Sequence, residues 1–210
     1  MKTCVVCGAE MPELAPSQDS WCRLCRHLAH QGLPPRYLEA KKSDFSGKRA
    51  KLFDSQDSLF IYGKVGTGKT WLAAALMREQ AILSRRSMGN RGTFMYSDDA
   101  LFISLPELAI KIRASMDRSS PTSEEKLISM YSKAKALFFD DIGAEQTSDY
   151  IRSVLFVLIE RRNTMWGGRT VITSNLNLNE LAKEHGVRIA SRIQEMCRVI
   201  QMTGEDRRRR

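Results

Sequence analysis

The chain has 210 residues, 42% hydrophobic and 27% charged, which is enough to bury a core and excludes disorder along its whole length. No run of 18 apolar residues occurs and no long apolar stretch opens the chain, so a membrane span is excluded and a cytoplasmic protein without membrane partners is expected. Lys and Arg outnumber Asp and Glu by 33 to 24, and the formal charge of +9 suits a nucleic-acid partner without requiring one.

Four of the five cysteines come first, as two C-x-x-C pairs, Cys4/Cys7 and Cys22/Cys25, with fourteen residues between them. Two such turns form opposed knuckles that offer four thiolates to one tetrahedral ion, with zinc expected. Iron fits the same geometry, and either pair alone would also read as a redox dithiol. With all four positions filled by protein, the ion would be structural and not catalytic. Trp21 and Leu24 are expected to pack beside it, and His27 and His30 to be polar surface groups. Cys197 stands alone and reads as a small buried side chain in a strand. The first unit is therefore a zinc-binding module over residues 1–30.

Residues 31–58 hold Gly32, Pro34-Pro35, Gly47 and the basic side chains Lys41, Lys42, Lys48, Arg49 and Lys51. They read as a basic linker and the start of the larger domain, its charges serving either solvation or DNA contact. From residue 59 to 210, apolar runs alternate with helical patterns, the rhythm of a three-layer α/β domain. Strands are predicted at 59–62, 92–96, 136–140, 169–174 and 197–202. Helices are predicted at 69–80, about 98–116, 123–132, 149–163 and 178–184. In the fourth helix Ile151, Val154, Leu155, Leu158 and Ile159 recur at helical spacing and should face the sheet.

The first predicted strand runs straight into Gly63-Lys64-Val65-Gly66-Thr67-Gly68-Lys69-Thr70, a full match to G-x-x-x-x-G-K-[ST]. Its glycines let backbone amides wrap a phosphate at the start of a helix. Lys69 should reach the β- and γ-phosphates, and Thr70 should place its hydroxyl on Mg²⁺. The apolar run Ala136-Leu137-Phe138-Phe139 ends in Asp140-Asp141, one carboxylate for the Mg²⁺ side and its neighbour for the attacking water. A third strand end, Thr173-Ser174-Asn175, offers an amide to orient water or to sense the γ-phosphate. Arg188 and Arg192 lie four residues apart, on one face if the segment is helical. They are either surface arginines or groups delivered across a subunit boundary to neutralise the leaving phosphoryl group.

These motifs together resemble the helicase-loader and transposition-helper branch of the AAA+ ATPases, from about Gly32 to Arg208. The marks are Gly32-Leu33-Pro34-Pro35-Arg36-Tyr37, the phosphate loop, Asp140-Asp141-Ile142-Gly143-Ala144-Glu145, Thr173-Ser174-Asn175-Leu176, Ser191-Arg192-Ile193 and Gly204-Glu205-Asp206-Arg207-Arg208. The resemblance implies a five-stranded parallel sheet in the order 5-1-4-3-2 and an ATPase using ATP and Mg²⁺. It gives Lys69 and Thr70 the Walker A roles, Asp140 and Asp141 the Walker B roles, and Asn175 the sensor 1 role. Arg192 becomes a trans-acting finger with Arg188 as companion, and Arg208 the sensor 2 arginine beside the nucleotide. It further implies a homo-oligomer or ATP-dependent assembly, with a replicative DNA helicase and single-stranded DNA as partners. Residues 1–30 would then be the helicase contact. The other branch implies a transposase and double-stranded DNA, and a non-hydrolysing adaptor is a third reading.

Overall fold

Alternation of side chains along the strands decides which layer covers which face of the central sheet. The computed structural model describes residues 2–8, 10–11, 22–87, 100–117, 119–143, 147–166, 168–204 and 206. A short antiparallel pair, β1 (Lys2–Thr3) and β2 (Glu10–Met11), precedes helix α1 (Arg23–His30). Three 3₁₀ turns, Pro35–Tyr37, Lys42–Asp44 and Ala50–Phe53, lead to β3 (Leu59–Tyr62) and α2 (Lys69–Ser87). Then come β4 (Ala100–Ser104), α3 (Leu105–Ser115), α4 (Glu124–Lys133), β5 (Ala136–Asp140) and α5 (Asp149–Arg161). A π-helical turn, Arg162–Trp166, joins α5 to β6 (Arg169–Ser174), followed by α6 (Leu178–His185), α7 (Val187–Met196) and β7 (Arg198–Gln201).

The last five strands form one parallel sheet in the order β4-β5-β6-β3-β7, which is the expected 5-1-4-3-2 order when they are counted alone. Strands buried on both faces read as continuous apolar runs, as Leu59–Tyr62 and Ala136–Phe139 do. Leu59, Ile61, Ala136, Phe138 and Val171 face a core built with α2. Phe60, Leu137, Phe139 and Ile172 face the opposite core, built with α3 to α7. Phe138 and Phe139 are fully enclosed, one on each face, and each such ring contributes roughly 1.5–3 kcal/mol by leaving water. Ile151, Val154, Leu155, Leu158 and Ile159 of α5 all lie in the second core, as their spacing predicts.

The predicted strand 92–96 lies outside the described residues. The strand beside β5 is Ala100–Ser104, where a helix from about 98 was expected. The helix begins only at Leu105, because Ser104 accepts a hydrogen bond from the Glu107 amide at 3.3 Å as N-cap. Pro106 is tolerated in that first turn, where its missing N–H costs nothing, and not further inside. Helix α2 also runs beyond its predicted end at 80, and α7 is a helix of its own.

The N-terminal residues share the first core. Cys4, Cys7, Cys25 and Leu28 are buried in one cluster with Leu72, Ala73 and Leu76 of α2. Leu33, Leu38, Phe45, Leu52 and Phe53, from the stretch read as a basic linker, belong to that cluster too. On the other side of the sheet Arg162 is buried and donates to Thr170 Oγ1 at 2.7 Å and to the carbonyls of Tyr131, Ser132, Ala134 and Arg169 at 2.7–3.1 Å. It thereby satisfies carbonyls left open where α4 ends. No helix among the described residues is long and apolar enough to cross a membrane.

Candidate nucleotide site and cysteine centre

The phosphate loop lies between β3 and α2 at the carboxyl ends of the parallel strands. Gly63 and Gly66 have φ of +153° and +82°. A Cβ on Gly63 would come within 2.1 Å of the Met202 carbonyl, and one on Gly66 within 2.0 Å of Asp206 Oδ1, so only glycine fits beneath the chain that leaves β7. That chain is held by Met202 N–H on Tyr62 O at 2.7 Å and by Arg49 Nη2 on Thr203 O at 2.9 Å.

Lys69 is buried and donates to Gly63 O at 2.9 Å, Lys64 O at 3.0 Å and Asn175 Oδ1 at 2.7 Å. The Asn175 amide nitrogen donates in turn to Asp141 Oδ1 at 3.2 Å. Three of the predicted site residues therefore form one hydrogen-bonded chain. Thr173 Oγ1 donates to Asp140 Oδ1 at 2.6 Å and accepts from the Asp141 amide at 2.9 Å, which fixes the two neighbouring carboxylates against β6. Asp141 has φ of +55°. A left-handed non-glycine residue stores about 1 kcal/mol or more and aims its side chain away from the strand direction.

Burial raises the Asp140 pKa, and hydrogen bonds from Thr173 and Thr70 only partly oppose it. A carboxylate desolvated in this way gains from a divalent cation, and Thr70 supplies a hydroxyl beside it. The donor set of Thr70 and Asp140 suits Mg²⁺, which keeps several waters and takes few protein oxygens.

Arg192 lies on α7 and pairs with Glu160 of α5 at 2.7 Å and with Glu195 at 2.9 Å. These contacts raise its pKa, the Glu195 hydrogen bond first and the Glu160 hydrogen bond next. Arg188 is exposed one turn earlier on the same helix. The described contacts join neither arginine to the phosphate loop. Arg208, Trp21 and the Ala144-Glu145 end of the acidic motif lie outside the described residues. Sequence reasoning missed His185, which is buried on α6 and donates through Nε2 to Gly143 O at 2.7 Å, while its Nδ1 has no partner among the described residues. No local pattern signals it, because its partner lies far away in the chain.

The four N-terminal cysteine sulfurs lie within 4.8 Å of one another. Cys4 and Cys25 are 4.0 Å apart and Cys7 and Cys22 3.7 Å apart, against the edge of about 3.8 Å of a tetrahedron with metal–sulfur bonds of about 2.3 Å. The backbone amides of Cys22 and Cys25 point at Cys4 Sγ and Cys22 Sγ, at 3.2 and 3.4 Å, as thiolates require. Hydrogen bonding between Cys22 and Cys25 lowers the pKa of the first and raises that of the second, so the two sulfurs share one proton between them. The donor set and its spacing fit a tetrahedral zinc ion.

A strand, a glycine-rich loop and a helix carrying Lys69-Thr70, set in a 5-1-4-3-2 parallel sheet with acidic and amide strand ends alongside, define a P-loop protein of the AAA+ class. Within that class the chain belongs to the IstB-like ATP binding protein family, whose model matches residues 45–210. It is 29% identical over 142 residues to the replicative helicase loader DnaC of Escherichia coli K12, covering 67% of this chain and 52% of that one. It is 28% identical over 163 residues to the replicative helicase loader DnaI of Bacillus subtilis 168, covering 71% of this chain and 47% of that one. The chain thus spans about half the length of these curated relatives. A crystal structure of DnaI superposes with a TM-score of 0.62 at 24% identity, over 84% of this chain and 98% of that one, a likeness of fold.

Proposed function

We propose that the protein is an ATP-dependent loader that binds a replicative DNA helicase and single-stranded DNA and hydrolyses ATP at subunit interfaces. The observation that carries this reading is the Lys69–Asn175–Asp141 chain of hydrogen bonds in a protein whose curated relatives are helicase loaders. On this reading Gly63 to Thr70 cradle the triphosphate, Lys69 meets the β- and γ-phosphates, and Asp141 takes the proton of the attacking water, oriented with Asn175. Thr70 and Asp140 would hold Mg²⁺, which neutralises charge developing on the phosphates. Arg192, with Arg188 beside it, exchanges its own glutamates for the γ-phosphate of a neighbouring subunit, and Arg208 flanks the nucleotide. Residues 1–30 hold structural zinc on Cys4, Cys7, Cys22 and Cys25 and contact the helicase. The work is done in the cytoplasm of a bacterial or phage-infected cell.

Native mass spectrometry of the zinc-loaded chain with its host's replicative helicase, with and without ATP, tests the reading. A defined complex whose stoichiometry responds to ATP is expected. Folded, zinc-loaded protein that makes no complex in either state would overturn it, and the same assay with a transposase and double-stranded DNA then examines the other branch.

A further inference from the structure

Helix α2 carries the phosphate-loop residues Lys69 and Thr70 at its start and Arg78 about two and a half turns later. Arg78 is only 8% exposed. Its Nη1 donates to the Leu38 carbonyl at 2.7 Å and lies 3.9 Å from Cys25 Sγ, and its hydrogen bonding extends to the Cys7 side chain. A guanidinium stays charged in a protein, and a buried one needs either a ring of carbonyls, such as the four around Arg162, or a compensating charge. Leu38 supplies a dipole and no charge, and no carboxylate pairs with Arg78 among the described residues. Four neutral thiols, or two disulfides, would leave the cation uncompensated. Four thiolates around a divalent ion carry two net negative charges and would compensate it. Lys41 points the same way, donating to the Cys7 carbonyl at 2.8 Å.

We propose that Arg78 is the counter-ion of a tetrathiolate metal centre at Cys4, Cys7, Cys22 and Cys25, so that the metal anchors the helix bearing Lys69 and Thr70. This rests on the zinc reading above and adds a positioning residue and a mechanical link to it. The metal then belongs to the core of the ATP-binding domain, and removing it loosens α2 at its middle, about two and a half turns from the phosphate loop.

The test uses the full chain as wild type, Arg78→Gln and Arg78→Lys. Metal content is measured first, then zinc release to a chromogenic chelator, then the sulfur-to-metal charge-transfer band of the Co²⁺-substituted protein. Wild type is expected to hold zinc. Arg78→Gln should release it about 10–100-fold faster, the usual effect of removing a group that supports the ligands. Its charge-transfer band should shift, and Arg78→Lys, which keeps the positive charge, should recover most of both properties. Wild type without metal overturns the zinc reading and this proposal together. Metal-loaded wild type with release and band unchanged in both variants overturns the role of Arg78 alone. If Arg78→Gln does not fold, Arg78→Lys decides: release within a few-fold of wild type is expected, and release about 10–100-fold faster despite the retained charge overturns the counter-ion role. Chelation of wild type should lower the melting of the whole chain in one transition, and an unshifted main transition would overturn the mechanical link.

Discussion

Lys69 and Asn175 are joined by a 2.7 Å hydrogen bond across the carboxyl ends of β3 and β6, and the other end of the same amide reaches Asp141. The lysine proposed to meet phosphate and the carboxylate proposed for the attacking water are thus held in register by one side chain.

Asn175→Ala should break that register while leaving the phosphate loop intact. ATP hydrolysis is expected to fall about 10²-fold, the usual cost of one preorganised polar group, with nucleotide affinity changed far less. Phosphate release and titration with a fluorescent nucleotide separate the two effects. Equal losses in both would assign Asn175 to binding.

Asp140 makes a pH-dependent contribution whose sign follows from its raised pKa. The folded chain without cation favours the neutral acid, so stability from this group is present below the unfolded carboxylate pKa and is lost as pH rises through the folded one. Asp140→Asn should therefore melt above wild type at neutral pH, by about 2–4 °C for each kcal/mol regained in a chain of this size. The gap should close at acid pH, where both forms are neutral. Magnesium nucleotide should stabilise wild type and not the variant. Thermal melts across pH with and without the ligand give all three comparisons.

Arg192 is engaged by Glu160 on its own chain, in a half-exposed pair that solvent weakens. Glu160→Gln together with Glu195→Gln should free the arginine from both partners and raise hydrolysis at a given protein concentration. Arg192→Ala and Asp141→Asn should each abolish hydrolysis and keep nucleotide binding. Mixing the two dead variants should restore part of the rate, since one subunit then supplies the arginine and the other the carboxylate. A mixture as inactive as its components would refute action across the interface.

Arg162 holds four carbonyls and one hydroxyl with no carboxylate partner among the described residues, and burial lowers its pKa to about 10. Arg162→Met should leave those acceptors unsatisfied and destabilise the fold by on the order of 3–5 kcal/mol. Urea unfolding measures this directly, and a loss below about 1 kcal/mol would show that water replaces the guanidinium.

The parts of the site that rest on short segments were legible in the sequence. The phosphate loop follows its strand directly, and the acidic strand end and Asn175 lie at the same edge because parallel strands share a direction. The cysteine spacing likewise foretold a cluster. Strand β4 was misplaced because Ala100–Ser104 runs without a gap into the apolar positions of α3. The distinguishing cue was Ser104 with Pro106 and Glu107, a helix start inside the predicted helix. Arg78 and His185 were invisible for another reason. Their partners, Cys25 and Gly143, are far away in the chain, and no local pattern distinguishes a buried arginine or histidine from an exposed one.

Met202 and Asp206 cross above Gly63 and Gly66, and β7 pairs with β3, the strand that leads into the loop. In chain order the phosphate loop comes before β4, β5 and β6, and the strand that braces it comes after all three. A chain made only as far as β6 therefore carries the whole motif without a finished pocket, and the loop gains its cover only when β7 pairs with β3.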